Sequence, residues 1–150
     1  MKKVKLPIEL VPQSSHYNNL RKILKASQWK KLREIIIPPL SNKCQICGTN
    51  KSKRSLDLHE VWSYDINTGI QKLERLEGLC MRCHEVKHFY FAKLQGNEKR
   101  ARKILKKINN FSDEELYEYE LETHLDYIKR SKFEWTLDIN LINNYLEKLI

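Results

Sequence analysis

Four cysteines stand as two Cys-x2-Cys pairs, Cys44/Cys47 and Cys80/Cys83, with 33 positions separating Cys47 from Cys80. Two such knuckles present soft thiolates at the spacing of one tetrahedral zinc site, and four thiolates leave no position open for a substrate. The pattern therefore reads as a structural zinc rather than as four buried thiols or two disulfides. With no fifth cysteine in the chain, it also favours thiolates holding metal in a reducing, cytoplasmic compartment. The histidines need a second explanation, because that zinc shell is already full. His59 lies between the pairs, His84 directly follows the last cysteine, and His88 comes four residues later. On a helix His84 and His88 share a face, and His59 adds a third imidazole. Three imidazoles make a sensible shell for zinc or another borderline divalent metal, with room for water or phosphate. The competing reading is that one or two of these rings hydrogen-bond around the knuckle. His16 and His124 lie outside the group and read as structural or exposed.

The elements that must position these residues can be traced along the chain. The first dozen residues look extended and punctuated by proline. Asn19 to Lys25 suits a short helix, and Ser27 offers a cap for a second one carrying Trp29, Leu32, Ile35 and Ile36. Pro38-Pro39 ends it and delivers the chain to the first knuckle, where Gly48 suits a tight turn. Ser55 to Trp62 reads as a short strand, with Asp57 and His59 opposite Leu56 and Leu58. A turn over 64–69 and a returning strand over Ile70–Leu73 complete a hairpin. Cys83 to Lys93 reads as one helix. Zinc would hold the start of the hairpin beside the start of this helix, bringing His59 toward His84 and His88. Asp57 and Asp65 read as structural.

Beyond Gly96-Asn97, Glu98 to Ile108 forms a short, very basic helix. Ser112-Asp113-Glu114-Glu115 is a capping box that opens a helix to about Arg130. Trp135–Leu137 suits a short strand, and Asp138 a cap for a final helix carrying Ile142, Tyr145, Leu146 and Leu149. No repeat interrupts this order. The expected class is α+β: one domain over 1–150, a small ββα core with zinc knuckles over 29–93, and a helical extension over 97–150, so that helices flank the core on both sides.

At 150 residues, 41% hydrophobic and 31% charged, the composition is that of a soluble globular chain, with no run long enough to span a membrane and no apolar signal core after the basic N-terminus. The net charge of +9 is uneven. Residues 1–110 carry 24 Lys/Arg against 9 Asp/Glu, whereas residues 111–150 carry 4 against 10. A basic body attracts polyanions in a salt-dependent way. Candidate backbone contacts are Lys51, Lys53 and Arg54 in the loop after the first knuckle, Lys87, and Lys99, Arg100, Lys103 and Lys106 of the basic helix, whose competing role is a solvated face. Trp62 and Tyr64 suit base stacking or hairpin packing.

Ser55-Leu-Asp-Leu-His-Glu-Val-Trp62 together with Leu79-Cys-Met-Arg-Cys-His-Glu-Val-Lys-His88 resembles the HNH endonucleases, in their branch with a four-cysteine structural zinc. The resemblance covers roughly residues 29–93 and is most specific in its second half. It implies a ββα-metal fold: a hairpin and a helix with one catalytic divalent ion (zinc, magnesium, manganese or nickel) between them. It implies His59 as the metal ligand at the end of the first strand and His84 and His88 as the helical ligands. Two positions depart from the family's pattern. Glu60 stands where a histidine usually acts as general base, so the base would be a carboxylate, a water it positions, or a neighbour, or Glu60 would ligate metal. Arg75 stands where an asparagine usually orients that base, and an arginine there would clamp phosphate or pair with Glu60. The implied activity is hydrolysis of DNA, double-stranded by preference, with Glu60, His59 and Arg75 as the catalytic group. The alternatives are a zinc-stabilised nucleic-acid-binding module without turnover and a helical protein-interaction module.

Overall fold

A computed structural model describes residues 2–50 and 55–145. The basic loop carrying Lys51, Lys53 and Arg54, and Leu146 and Leu149 of the expected final helix, lie outside the described residues.

Two helices, α1 (Leu20–Ile23) and α2 (Ala26–Ile36), precede the first knuckle. Asn19 caps α1 through its side chain, which accepts from Lys22 N. α2 begins before Ser27: Lys25 is its cap residue, and Gln28 Oε1 accepts from Lys25 N at 2.9 Å. Pro38-Pro39 then opens a single 3-10 turn, as ring closure at proline removes the donor a continuing helix needs.

The hairpin is longer than the sequence pattern suggests, because both strands have burial on two sides and so break simple alternation. β1 (Asp57–Asp65) pairs antiparallel with β2 (Ile70–Leu79), and the register slips between Val61 and Trp62. The slip is a β-bulge that bends and twists the strand. At the turn Asp65 Oδ1 accepts from Asn67 N at 2.9 Å, and Gly69 supplies a φ of 69°. A short β3 (Thr136–Asp138) adds to β2 in parallel, giving the order β1-β2-β3.

Directly after β2 the chain enters α3 (Met81–Lys87), and α4 (Phe89–Leu94) follows. The single helix expected over Cys83–Lys93 is thus broken at His88, whose backbone (φ −96°, ψ 53°) is not helical. The break has a visible cause. In an unbroken helix Lys87 C=O would accept from Phe91; here it accepts from Glu9 N at 3.0 Å.

α5 (Glu98–Asn109) and α6 (Asp113–Arg130) pack over this unit. The capping box at Ser112 forms as expected, with Glu115 N donating to Ser112 Oγ and Ser112 N to Glu115 Oε2. The described end of the chain is a 3-10 turn over Asn140–Asn144, with Asp138 Oδ1 accepting from Asn140 N. No described helix is long and apolar enough to cross a membrane.

The proline-punctuated N-terminal arm is docked along its length. Asn109 Oδ1 accepts from both Lys5 N and Leu6 N at 2.8 Å, its Nδ2 donates to Leu6 C=O, and Ile8 N donates to Tyr119 Oη. Leu6, Ile8 and Leu10 are buried as a result, in a core that also holds Leu20, Leu32, Leu73, Leu79, Val86 and Leu105.

The knuckle is fastened to the sheet by one side chain. Gln45 N donates to Gly78 C=O at 3.1 Å, and Gly78 N donates to Gln45 Oε1 at 2.7 Å. Gly78 also leaves no room for a methyl group, since a Cβ would meet Leu40 Cδ1 at 2.4 Å and the Ile37 and Leu56 Cδ1 atoms at 3.2 Å. Gly78→Ala should therefore destabilise the fold by about 1–3 kcal/mol through overpacking, read from the urea midpoint. A midpoint unchanged within error would contradict this packing.

Candidate metal centre

Cys44, Cys47, Cys80 and Cys83 bring their sulfurs within 4.8 Å of one another. Cys47 Sγ and Cys80 Sγ lie 3.7 Å apart, and all four cysteines are free of disulfides. Gly48, with φ of 72° and its N–H on Cys44 C=O, closes the first knuckle. Cys80 caps α3, its Sγ accepting from Cys83 N at 3.5 Å. Hydrogen bonds from Cys80 and Cys83 hold the Cys44 thiol far below its usual range, while the neighbouring thiol of Cys44 pushes Cys80 up to about 11. The donor set fits zinc: four soft ligands in a closed, mostly buried cluster.

The second cluster joins β1 to α3. His59, His84 and His88 bring one ring nitrogen each within 4.8 Å of one another, and their ring centroids are 5.2, 5.1 and 4.7 Å apart. His88 Nε2 faces His84 Nε2 at 3.1 Å. The other nitrogen of His84, Nδ1, is 3.2 Å from Asp57 Oδ2. A carboxylate on the far nitrogen fixes the ring and directs the near lone pair, as around bound metals generally. Asp57, read as structural from sequence, therefore orients one member of the group. Burial, reinforced by the charges of His84 and His59, pushes His88 down to about 3, and burial also outweighs the Glu9 bond to keep His59 below its usual value. Three imidazole nitrogens converging at this spacing fit a divalent cation.

Glu9 is the residue that sequence reasoning missed. Its Oε2 lies 2.5 Å from His59 Nε2 and its Oε1 accepts from Lys87 Nζ at 2.6 Å. Burial raises the Glu9 carboxyl, but the bonds and charges of His59 and Lys87 overcome this and hold it below the ordinary range. Lys87 also faces Glu77 Oε2 at 3.6 Å, and its side chain is 1% exposed. The expectation that Lys87 touches nucleic acid is thus corrected: its ammonium is sealed between two carboxylates, where no phosphate reaches it. No local pattern marks Glu9, which lies 50 residues from His59.

Glu60, the neighbour of His59, faces elsewhere. Its Oε1 accepts from Leu20 N at 2.8 Å and its Oε2 from Trp62 Nε1 at 3.2 Å, and burial raises its pKa. Arg75 does not pair with Glu60; it donates to Glu77 Oε1 at 2.9 Å, and its side chain is 58% exposed. Glu60 and the three histidines line one cleft of about 920 Å³, which runs from the N-terminal helices over β1. The cleft's cations are Arg21, Lys30, Arg33 and Arg130, and Trp29, Trp62 and Tyr64 supply aromatic wall. Arg75 and the whole of α5 are absent from its lining. On α5, Arg100 is bonded to Glu85 and Lys106 to Asp113, whereas Lys99 and Lys103 are exposed. The cleft also holds the carboxylates Glu9, Asp57, Glu60 and Asp126, the last paired with Arg130, and its remaining cations, Arg21, Lys30 and Arg33, lie on the N-terminal helices rather than on α5.

No family model, curated protein or solved structure matches this chain. What geometry establishes is a ββα core carrying a four-cysteine and a three-histidine cluster.

Lys87→Met should remove the cation that Glu9 and Glu77 share. Each carboxylate keeps one partner, His59 for Glu9 and Arg75 for Glu77, but loses its buried cation, at a cost of about 1–3 kcal/mol, measured by urea denaturation. A loss below about 1 kcal/mol would mean that water already compensates them.

Proposed function

We propose that this chain is a metal-dependent endonuclease of the HNH type that hydrolyses phosphodiester bonds in DNA. The observation that carries the reading is the convergence of His59, His84 and His88 at the wall of an aromatic-lined cleft that Arg21, Lys30 and Arg33 border. Fold order supports it too, since a hairpin leads straight into the helix that bears two of the three imidazoles. His59, His84 and His88 would hold one divalent ion, separate from the structural zinc of the four cysteines. When bound, that ion supplies Lewis-acid stabilisation of charge on the phosphate and its departing oxygen.

The rest is the work of the chain's own residues. Asp57 fixes the ring of His84 through Nδ1, and Glu9 braces His59. Arg21, Lys30 and Arg33 position the phosphate backbone along the cleft, as cations do without reading sequence. Exposed Lys99 and Lys103 of α5 extend that attraction at longer range. Arg75, on the exposed side of β2, is assigned to phosphate contact rather than to orienting a base. Glu60 is assigned as proton acceptor for the attacking water, and burial brings its carboxyl closer to a useful basicity. A duplex is the favoured substrate because its phosphate density best matches a basic body of this size.

One observation favours a second reading. Both Glu60 oxygens already accept hydrogen bonds, which leaves the carboxylate less free to take a proton. A protein with the same fold that binds nucleic acid without turnover would show this arrangement.

Supercoiled plasmid separates the two. The proposal predicts nicking that requires an added divalent metal and falls at least ~100-fold in His84→Ala and His88→Ala with the fold retained. Glu60→Gln should fall to a similar degree, and full activity in that variant would remove Glu60 as base. Salt-sensitive binding without cleavage under magnesium, manganese, nickel or zinc would favour the second reading.

A further inference from the structure

α6 presents an apolar face that nothing in the described chain covers. Tyr117, Leu121, Leu125 and Ile128 are 70, 46, 56 and 41% exposed. Their spacing of four, four and three residues places them in one seam on the side away from the core, where Leu116, Tyr119 and Tyr127 pack. That spacing is the narrow stripe by which one helix joins another. At its edge the seam borders a furrow of about 350 Å³ that Tyr117, Leu121 and His124 share with Phe89, Tyr90 and Lys93.

The charges around the seam indicate what covers it. Of the other charges on α6, Asp113 is paired with Lys106, Glu115 with Lys2, Glu120 with Arg102 and Asp126 with Arg130, whereas Glu122 is exposed and makes no ion pair among the described residues. Glu114 and Glu118 at one end, and Lys129 and Lys132 at the other, are exposed and make no ion pair among the described residues. At about 100° per residue, Glu118 and Lys129 fall on the same flank of the seam. In an antiparallel helix pair with two-fold symmetry, like flanks meet each other. Setting Leu121 against Leu125 of the other helix lays Tyr117 against Ile128. The same register brings Glu118 opposite Lys129, a pair made twice. A parallel two-fold pairing would put the two Glu118–Lys129 flanks on opposite sides of the seam, where they do not meet.

We propose that α6 is a self-association surface, on which a second copy of this chain docks its own α6 antiparallel. The surface is self-complementary in its apolar positions and in the Glu118–Lys129 pair, and the proposal stands whether or not the histidine cluster acts on DNA. The seam, about 16 Å long from Tyr117 to Ile128 by helical rise, is smaller than the ~800 Å² per partner of a stable complex. The dimer is accordingly weak, with a Kd on the order of 10 μM.

Sedimentation velocity of the full chain from ~1 to ~200 μM tests this. The expected result is a monomer–dimer equilibrium that Leu121→Glu or Leu125→Glu abolishes, both being exposed positions whose change leaves the fold intact. Glu118→Lys and Lys129→Glu should each weaken the dimer at least ~3-fold, and the two together should restore it. Three results overturn the proposal: a monomer throughout, as when another segment or a different protein covers the seam; association indifferent to Leu121→Glu; or charge reversals that do not rescue each other.

Discussion

The linkage of Cys44 and Cys47 to Cys80 and Cys83 is the constraint on which everything else is hung. These sulfurs join the loop after α2 to the point where β2 becomes α3, residues otherwise 33 or more apart. A cross-link there fixes where β2 ends and α3 begins. Through the hairpin register it also fixes His59, paired with Glu77 two residues before Leu79. His84 and His88 follow from the cap that Cys80 places on α3. Closing the site through metal supplies folding energy that a small sheet lacks by itself. Gln45 adds a second fastening, its two bonds to Gly78 aligning the knuckle with the strand.

A second, non-covalent layer completes the centre from outside the ββα unit. The N-terminal arm is held by Asn109 and Tyr119 of the C-terminal helices and lays Glu9 between His59 and Lys87. The same arm takes the Lys87 carbonyl, at which the helix breaks, and so decides where His88 points. The C-terminal helices thereby support the geometry of the histidine cluster, although only Asp126 and Arg130 of α6 reach the cleft among their described residues. This is a chain of contacts from α5 to an imidazole, not a claim of conformational coupling.

What could be read from the sequence is what local spacing encodes. Two Cys-x2-Cys pairs, His84 and His88 one turn apart, the Ser112 capping box and the Asn67–Gly69 turn each carry their geometry within a few residues. The hairpin, the basic helix and the 113–130 helix followed from periodicity. Glu9 and the burial of Lys87 could not be read this way, because each depends on partners fifty or more residues away. A lysine in an amphipathic segment gives no sign that two carboxylates will enclose it. Charge counting likewise favoured α5, since it cannot tell cations already paired, such as Arg100 and Lys106, from those left facing a cleft.

Four cysteines brace a separate cluster of three histidines built to hold a second metal ion. Anomalous X-ray diffraction from metal-loaded crystals, collected on both sides of the zinc edge, tests it most directly. The account predicts two peaks, one enclosed by Cys44, Cys47, Cys80 and Cys83 and another among the ring nitrogens of His59, His84 and His88. A single peak at the cysteines, with the three imidazoles bonded only to each other and to their carboxylates at saturating metal, would contradict it.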